Sequence, residues 1–209
     1  MKHLVAILAT MAALAFQPAL AAEWGKDYVE LGQTQKTDVK RGQVEVLEFF
    51  WYSCPHCYEL EPELNAWAKK LPKNVVLKKV PGILQQSWVP LARAYYALEA
   101  VGMLDALHTE VFKAIHVQGN NLNQPERFFD WAATKGVDRT KIADAYNSFA
   151  VNTKVLRAQQ LTQAYKLNGV PAFAVNGKYV TSAYFAGSVP AMFKTLDELI
   201  AQERKGGRK

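Results

Sequence analysis

The chain has 209 residues, of which 50% are hydrophobic, so it is long enough to bury a core without disulfide staples. Its formal net charge is +6, but the basic residues are not interleaved with a nucleic-acid-binding motif, so we predict no nucleic-acid partner. Residues 206–209 are predicted to form a basic, solvated tail. The two cysteines are too few for the disulfide framework of a small secreted protein.

Residues 1–21 have the pattern of a cleaved signal peptide. Lys2 and His3 form a short polar start, residues 4–16 are apolar, and Ala19-Leu20-Ala21 fits the small-residue cleavage rule. The apolar segment is shorter than the roughly 20 residues that a membrane-spanning helix needs. We therefore predict export to an oxidising compartment and a mature chain from Ala22, with an uncleaved N-terminal anchor as the alternative.

The segment from residue 44 to residue 80 reads as strand, helix and strand. Residues 44–51 form an apolar run typical of a strand that is buried on both faces. Residues 58–71 carry apolar side chains at helical spacing, with a kink predicted at Pro62, and residues 75–80 predict a second strand. This order favours a parallel βαβ unit.

Both cysteines lie between that first strand and that helix, in the tetrapeptide Cys54-Pro55-His56-Cys57. Side chains at i and i+3 of a helix are roughly 5–6 Å apart, which is close enough for a disulfide to open and close without large backbone movement. Closing so short a loop adds little stability. The pair is therefore better explained by thiol–disulfide chemistry than by a structural role.

The position of each residue in this motif predicts its role. Cys54 faces the unpaired N–H groups and the positive end of the helix, which favour a thiolate, so we predict that it is the nucleophile. His56 adds to that preference when it is protonated or donates a hydrogen bond. Pro55 suits the first helical position because it has no N–H to leave unpaired. Cys57, one turn deeper, is the predicted resolving thiol.

Glu48 is a carboxylate within an otherwise apolar strand, where an unpaired charge is costly. One interpretation is a buried proton acceptor for Cys57 with a raised pKa. The other is a residue at the strand end that reaches solvent or pairs with Lys78 or Lys79 for structural reasons. The sequence favours neither.

The chain changes to pure helix between residues 88 and 149. Four helices are predicted there, the third capped by Asn123, with Pro125 at an early position, and the fourth capped by Asp138 and extending to Phe149. Further elements follow after residue 150: a helix at 153–167, a hairpin turning at Asn176-Gly177, and a last helix at 189–202.

These elements predict an α/β fold that is interrupted by an all-helical domain. The predicted divisions are a first α/β part at residues 22–84, a helical insert at 85–150, and a second α/β part at 151–205.

The motifs together resemble the DsbA family of bacterial periplasmic thiol:disulfide oxidoreductases, within the thioredoxin superfamily. The resemblance covers nearly all of the mature chain. It rests on the cysteine motif after Leu47-Glu48-Phe49-Phe50, and on Gly169-Val170-Pro171-Ala172 and Val175-Asn176-Gly177-Lys178-Tyr179. It implies a thioredoxin-like fold with an inserted all-helical domain, and an oxidase that donates its disulfide to reduced, unfolded exported proteins in the periplasm.

The resemblance also implies roles within the cysteine motif. Cys54 matches the nucleophile that forms mixed disulfides, and Cys57 matches the buried resolving cysteine. Pro55 and His56 match the dipeptide that tunes the redox poise of the family. One departure is Trp51-Tyr52-Ser53 before the motif, where a more aromatic sequence is expected, and this difference bears on peptide preference.

Outside the motif, the resemblance implies a substrate-binding loop and a proton-handling acid. Val170 and Pro171 match a loop with a cis proline that binds extended peptides through its backbone. Glu48 matches the acid beneath the disulfide, and its lysine partner is either Lys78 or Lys79. The family further implies reoxidation by a quinone-linked membrane protein of the DsbB type. We expect a monomer without a cofactor.

Three rival functions are less consistent with the sequence. Isomerases and reductases such as DsbC or DsbG carry an N-terminal dimerisation domain, for which residues 22–53 leave no room. A secreted binding module with an inert disulfide would show a reduction potential below about −300 mV and no turnover. A metal site would need two further ligands, and His108 and His116 do not provide zinc spacing. We therefore predict no metal, and treat both histidines as ordinary surface or core residues.

Overall fold

The computed structural model describes residues 22–206 and is built around a mixed sheet. Within these residues the sheet has five strands in the order β1-β5-β4-β2-β3. The pair β2 and β3 is parallel, and the other neighbouring pairs are antiparallel. The strands are β1 Val29–Glu30, β2 Val44–Phe50, β3 Val75–Pro81, β4 Ala172–Val175 and β5 Tyr179–Thr181. The predicted signal peptide, residues 1–21, and the tail residues 207–209 lie outside the described residues.

Helices cover both faces of this sheet and form a separate block beside it. A short 3-10 turn, Gln86–Trp88, leads into the block. None of the helices between residues 22 and 206 is long and apolar enough to cross a bilayer. The helices are α1 Pro55–Ala68, α2 Val89–Ala100, α3 Leu104–His116, α4 Pro125–Thr134, α5 Arg139–Asn147, α6 Phe149–Ala164, α7 Ala183–Ala186 and α8 Val189–Gly206.

The predicted α/β fold with a helical insertion is confirmed. The unit β2-α1-β3 has the parallel pairing expected of βαβ, and the hairpin between β4 and β5 turns at the predicted dipeptide. Asn176 and Gly177 there have φ values of 51° and 72°. A Cβ at position 177 would overlap the carbonyl group of Gln35, so this turn requires glycine.

Of the two helix N-caps predicted from the sequence, one is confirmed and the other is wrong. Asp138 caps α5 as predicted, with its carboxylate accepting a hydrogen bond from a backbone N–H at 2.8 Å. The prediction that Asn123 caps α4 is wrong, because Gln124 holds the N-cap position. Pro125 takes the first helical position, so the residue directly before it becomes the cap.

The prediction that the helix after Asp138 extends to Phe149 is also wrong. That helix, α5, ends at Asn147, and Ser148 starts α6 because its hydroxyl accepts a hydrogen bond from the backbone N–H of Val151 at 3.1 Å. Phe149 is therefore the first residue of the next helix. The short elements β1 and α7 were not predicted, since two to four residues carry too little periodicity.

Three apolar clusters place the cysteine motif at the junction of the sheet and the helical block. Strand β2 is buried at every position, as predicted. Its one face packs against α1 and α8, and its other face packs against α2 and α6. The third cluster fills the space among α2, α3, α4 and α5, and it extends to Phe50, Tyr52, Cys54 and Cys57.

Candidate active site

The end of β2 turns directly into α1, and this turn positions the first cysteine. Cys54 is the N-cap residue of α1, with extended backbone angles of φ −83° and ψ 116°. Its own N–H donates to the carbonyl of Trp51 at 2.9 Å, which tightens the turn. Pro55 occupies the start of the helix as predicted, and no acidic residue lies in the first turn. The positive end of α1 therefore acts on the Cys54 sulfur.

Both cysteines are free thiols, and their acidities differ strongly. The hydrogen bond from the Cys57 thiol is the largest cause that lowers the pKa of Cys54, to about 6. Backbone N–H groups of Cys57 and His56 and the charge of His56 act in the same direction, whereas burial acts against them. Burial raises the pKa of Cys57 far above its ordinary value. The pair thus combines one thiolate with one thiol that keeps its proton.

The cysteine with the lowered pKa is also the more exposed of the two. Cys54 is 8% exposed and Cys57 is fully buried. His56 lies beside them on the surface, where its Nδ1 is 3.2 Å from Oε2 of Glu59. A reactant arriving from solvent therefore meets Cys54 first.

The loop before β4 lies against the cysteine motif. The Val170–Pro171 peptide bond is cis. The Cys54 sulfur lies 3.5 Å from the carbonyl oxygen of Val170, which accepts a hydrogen bond from the sulfur when Cys54 is protonated. Both predicted loop residues are half-buried, and together they bring a backbone acceptor to the nucleophile.

The predicted acid, Glu48, is fully buried and belongs to an ion cluster. The parallel register places Lys79 opposite Glu48, and its Nζ donates to Oε2 of Glu48 and to Oε1 of Glu61, each at 2.6 Å. Burial raises the pKa of Glu48, although the charge of Lys79 opposes this. The other carboxylate oxygen, Oε1, has no hydrogen-bond partner among the described residues. Lys78 instead pairs with Glu45 and Asp38.

Two residues of this cluster were not predicted from the sequence. Burial opposes the ionisation of Glu61, but the hydrogen bond with His108 and the charge of Lys79 lower its pKa to about 2. Nε2 of His108 is 3.4 Å from Oε1 of Glu61, and Nδ1 is 2.8 Å from the hydroxyl of Tyr52. The available signals were a carboxylate one turn after Cys57 and a histidine on the apolar face of α3.

A groove of about 770 Å³ begins at the cysteine motif. Its lining includes His56 and Leu60 of α1, the loop at Val170, and the aromatic residues Tyr184 and Phe185. Tyr184 is 89% exposed, which is unusual for a large aromatic side chain. Between residues 22 and 206, no group of three or more His, Cys, Asp or Glu side chains is arranged to hold a metal ion.

Thiol–disulfide exchange is the chemistry that this pair of unequal thiols supports, and the sheet and helix that hold them have the thioredoxin arrangement. The protein is therefore a thiol:disulfide oxidoreductase of the thioredoxin fold. A model of the DSBA-like thioredoxin domain matches residues 45–196. The chain belongs to this DsbA family.

Known relatives are similar along almost the whole chain. The thiol:disulfide interchange protein DsbA of Bordetella parapertussis is 43% identical over 204 residues, covering 97% of both chains. The protein of the same name from Pseudomonas aeruginosa is 39% identical over 208 residues, covering 97% of this chain and 98% of its own. The crystal structure of Pseudomonas aeruginosa DsbA superposes with a TM-score of 0.85 at 38% identity, covering 90% of this chain and 97% of that chain.

Proposed function

We propose that the protein is a periplasmic disulfide donor, which passes the disulfide formed by Cys54 and Cys57 to reduced, unfolded exported proteins. The observation that carries this proposal is the lowered pKa of Cys54, about 6, beside a Cys57 thiol whose pKa is raised. Any factor that stabilises the Cys54 thiolate stabilises the reduced protein. The disulfide is then the less stable form, which makes it a strong oxidant.

The exchange reaction has two steps. A substrate thiolate attacks the Cys54 sulfur, the bond between Cys54 and Cys57 breaks, and Cys57 leaves as a thiolate that takes up a proton. A second substrate thiolate then attacks the substrate sulfur of the mixed disulfide, and Cys54 leaves as a thiolate. The substrate gains a disulfide and loses two electrons, which the two cysteines of the protein retain.

The roles of the neighbouring residues follow from where they lie. Pro55 and His56 set the start of α1 and the charge near Cys54, and Glu48 exchanges the proton of Cys57. Val170 and Pro171 present the backbone carbonyl that an extended client peptide pairs with next to the mixed disulfide. The adjoining groove supplies apolar surface for client side chains.

The cellular setting belongs to the same proposal. Residues 1–21 act as a cleaved signal peptide that directs the protein to the periplasm. The protein works as a monomer and returns to the disulfide form through a quinone-linked membrane partner of the DsbB type. The relatives that carry the DsbA name support this setting.

The proposal is tested by the equilibrium reduction potential of the cysteine pair against glutathione. Reference values are about −120 mV for DsbA and about −270 mV for thioredoxin, so an oxidant and a reductant are well separated on this scale. A value near the oxidising end is expected. A value near that of thioredoxin would identify a reductant and overturn the proposal.

Trapping experiments test the division of roles between the cysteines. Cys57→Ser should accumulate mixed disulfides with reduced substrates, because the thiol that releases them is missing. Cys54→Ser should form none and should not oxidise substrate. Oxidation of a reduced substrate by Cys54→Ser would exclude the mechanism.

A further inference from the structure

The helical block places an imidazole against the charged cluster beneath the cysteines. His108 is 7% exposed and projects from α3. Its Nδ1 contacts the hydroxyl of Tyr52, and its Nε2 contacts Glu61. Aromatic rings enclose it at centroid distances of 5.2 to 5.9 Å, and these belong to Phe50, Tyr52, Tyr95 and Phe112.

The contacts continue from this imidazole to the acid at the cysteines. Glu61 shares Lys79 with Glu48 through two contacts of 2.6 Å. The titratable groups around His108 are therefore Glu61 from α1, Lys79 from β3, Glu48 from β2, and the hydroxyl groups of Tyr52 and Tyr95. Two carboxylates face one lysine, so the buried cluster has one uncompensated negative charge unless His108 is protonated or Glu48 holds a proton.

We propose that His108 is a positioning residue for the chemistry of Cys57: through Glu61 and Lys79, the imidazole, when protonated, keeps Glu48 ionised and able to accept the Cys57 proton. This inference rests on the proposed function, because it concerns the same cysteine pair. Burial raises the pKa of Glu48, and the charge of His108 makes a small contribution in the opposite direction, which is consistent with the proposal. Oε1 of Glu48 has no hydrogen-bond partner among the described residues, so it is the carboxylate oxygen available for the proton.

The step that depends on this proton is the closure of the disulfide. The Cys54 thiolate attacks an external disulfide, and one external thiolate leaves. Glu48 then takes the proton from the Cys57 sulfur, and the Cys57 thiolate attacks the Cys54 sulfur of the mixed disulfide, which releases the second external thiolate. The two cysteines are oxidised and the external disulfide is reduced to two thiols.

The test separates these two steps in the reduced full-length mature protein. Glutathione disulfide is the oxidant, and samples quenched in acid are resolved by mass into mixed and closed disulfide across pH 4 to about 9. In His108→Gln, the fall in closure rate at acidic pH should begin at a higher pH, so closure at a given acidic pH should be slower than in the unmodified protein. The first step should keep its rate, because the acidity of Cys54 has other causes.

A matched histidine and a double variant exclude a purely structural effect. His116 also contacts Tyr52, with its Nε2 2.8 Å from the backbone carbonyl, but within residues 22–206 it makes no hydrogen bond or ion pair with Glu48 or Glu61. His116→Gln should leave the pH dependence of the closure rate unchanged. A shift equal to that of His108→Gln would overturn the proposal. In a Glu48→Gln background, His108→Gln should have no further effect on the closure rate, and a further loss of that rate would also overturn the proposal.

The possible failures remain distinguishable. If glutathione disulfide does not react with Cys54 at all, the proposed function fails. If the first step is normal and the pH dependence of closure is the same in His108→Gln as in the unmodified protein, only the role of His108 fails. If His108→Gln does not fold, carbon NMR of the Glu48 carboxyl in the unmodified protein decides the question. Its signal should respond when the imidazole signal of His108 titrates, and independent titrations would overturn the proposal.

Discussion

Lowering the pH should remove the reactivity of Cys54 through a transition centred near 6. With a pKa of about 6, the sulfur is about 90% thiolate at pH 7 and about 10% at pH 5, whereas a cysteine with an ordinary pKa of about 8.5 is only about 3% thiolate at pH 7. Alkylation of the reduced protein by iodoacetamide should therefore slow about tenfold between these two pH values. The ultraviolet absorbance of the thiolate provides an independent titration of the same group.

The cause of this low pKa is tested by two substitutions. Cys57→Ala removes the largest cause, the hydrogen bond to the Cys54 sulfur, so it should raise the midpoint. His56→Gln removes a smaller contribution and should raise it less. A midpoint in the ordinary cysteine range in the unmodified protein would refute the reasoning, and so would a larger shift in His56→Gln than in Cys57→Ala.

The same pKa links acidity to the stability of the reduced protein. The pKa of Cys54 is lower in the folded protein than in an unfolded chain, so the thiolate stabilises the fold fully above the ordinary cysteine range. That contribution decreases as the pH falls and is lost as the pH passes through about 6. The oxidised protein has no such thiolate, so its melting temperature relative to the reduced protein should be higher at pH 5 than at pH 8. An unchanged difference would contradict this link.

Three further substitutions test the supports of the site and the fold. Gly82→Ala places a Cβ 2.8 Å from a methyl group of Val170, in the loop beside Cys54. It should therefore destabilise the protein by about 1–3 kcal/mol and slow client oxidation. Gly169→Ala is the control, because a Cβ there meets open space. Ser148→Ala removes the cap of α6 and should cost about 1 kcal/mol in urea unfolding. If cleavage follows Ala21, the new amino terminus lies 2.5 Å from Oε2 of Glu198. Glu198→Gln should then destabilise that mature chain by about 0.5 kcal/mol, and it should have a smaller effect in a chain with an N-terminal extension, which lacks the terminal charge.

The local parts of the fold could be predicted from the sequence because each carries its own signal. The apolar run of β2, the proline and cysteine at the start of α1, and the Asn176-Gly177 turn are read within a few residues. The boundary between α5 and α6 was missed for the opposite reason. Ser148 follows α5 directly, so the periodicity continues across the break and a single serine marks it.

The charged cluster could not be assembled from the sequence, since its geometry depends on strand register and on distant contacts. Adjacent residues of a strand point to opposite faces, so a shift of one residue in β3 would exchange the roles of Lys78 and Lys79. His108 and Glu61 are 47 positions apart and meet only because α3 packs against α1. A single sequence shows both as isolated polar residues on apolar faces.

The two cysteines are therefore controlled by different parts of the molecule. The acidity of Cys54 arises within α1, from Cys57, His56 and the N–H groups of the first turn. In the mechanism that we propose, the proton of Cys57 is exchanged with Glu48, whose ion cluster draws on β2, β3, α1 and the helical block. Substitutions inside the motif should therefore change the reduction potential, whereas substitutions in the helical block should change the rate of disulfide closure and leave the potential nearly constant. Measuring both quantities for His56→Gln and His108→Gln tests this separation, and a single substitution that moves both in proportion would contradict it.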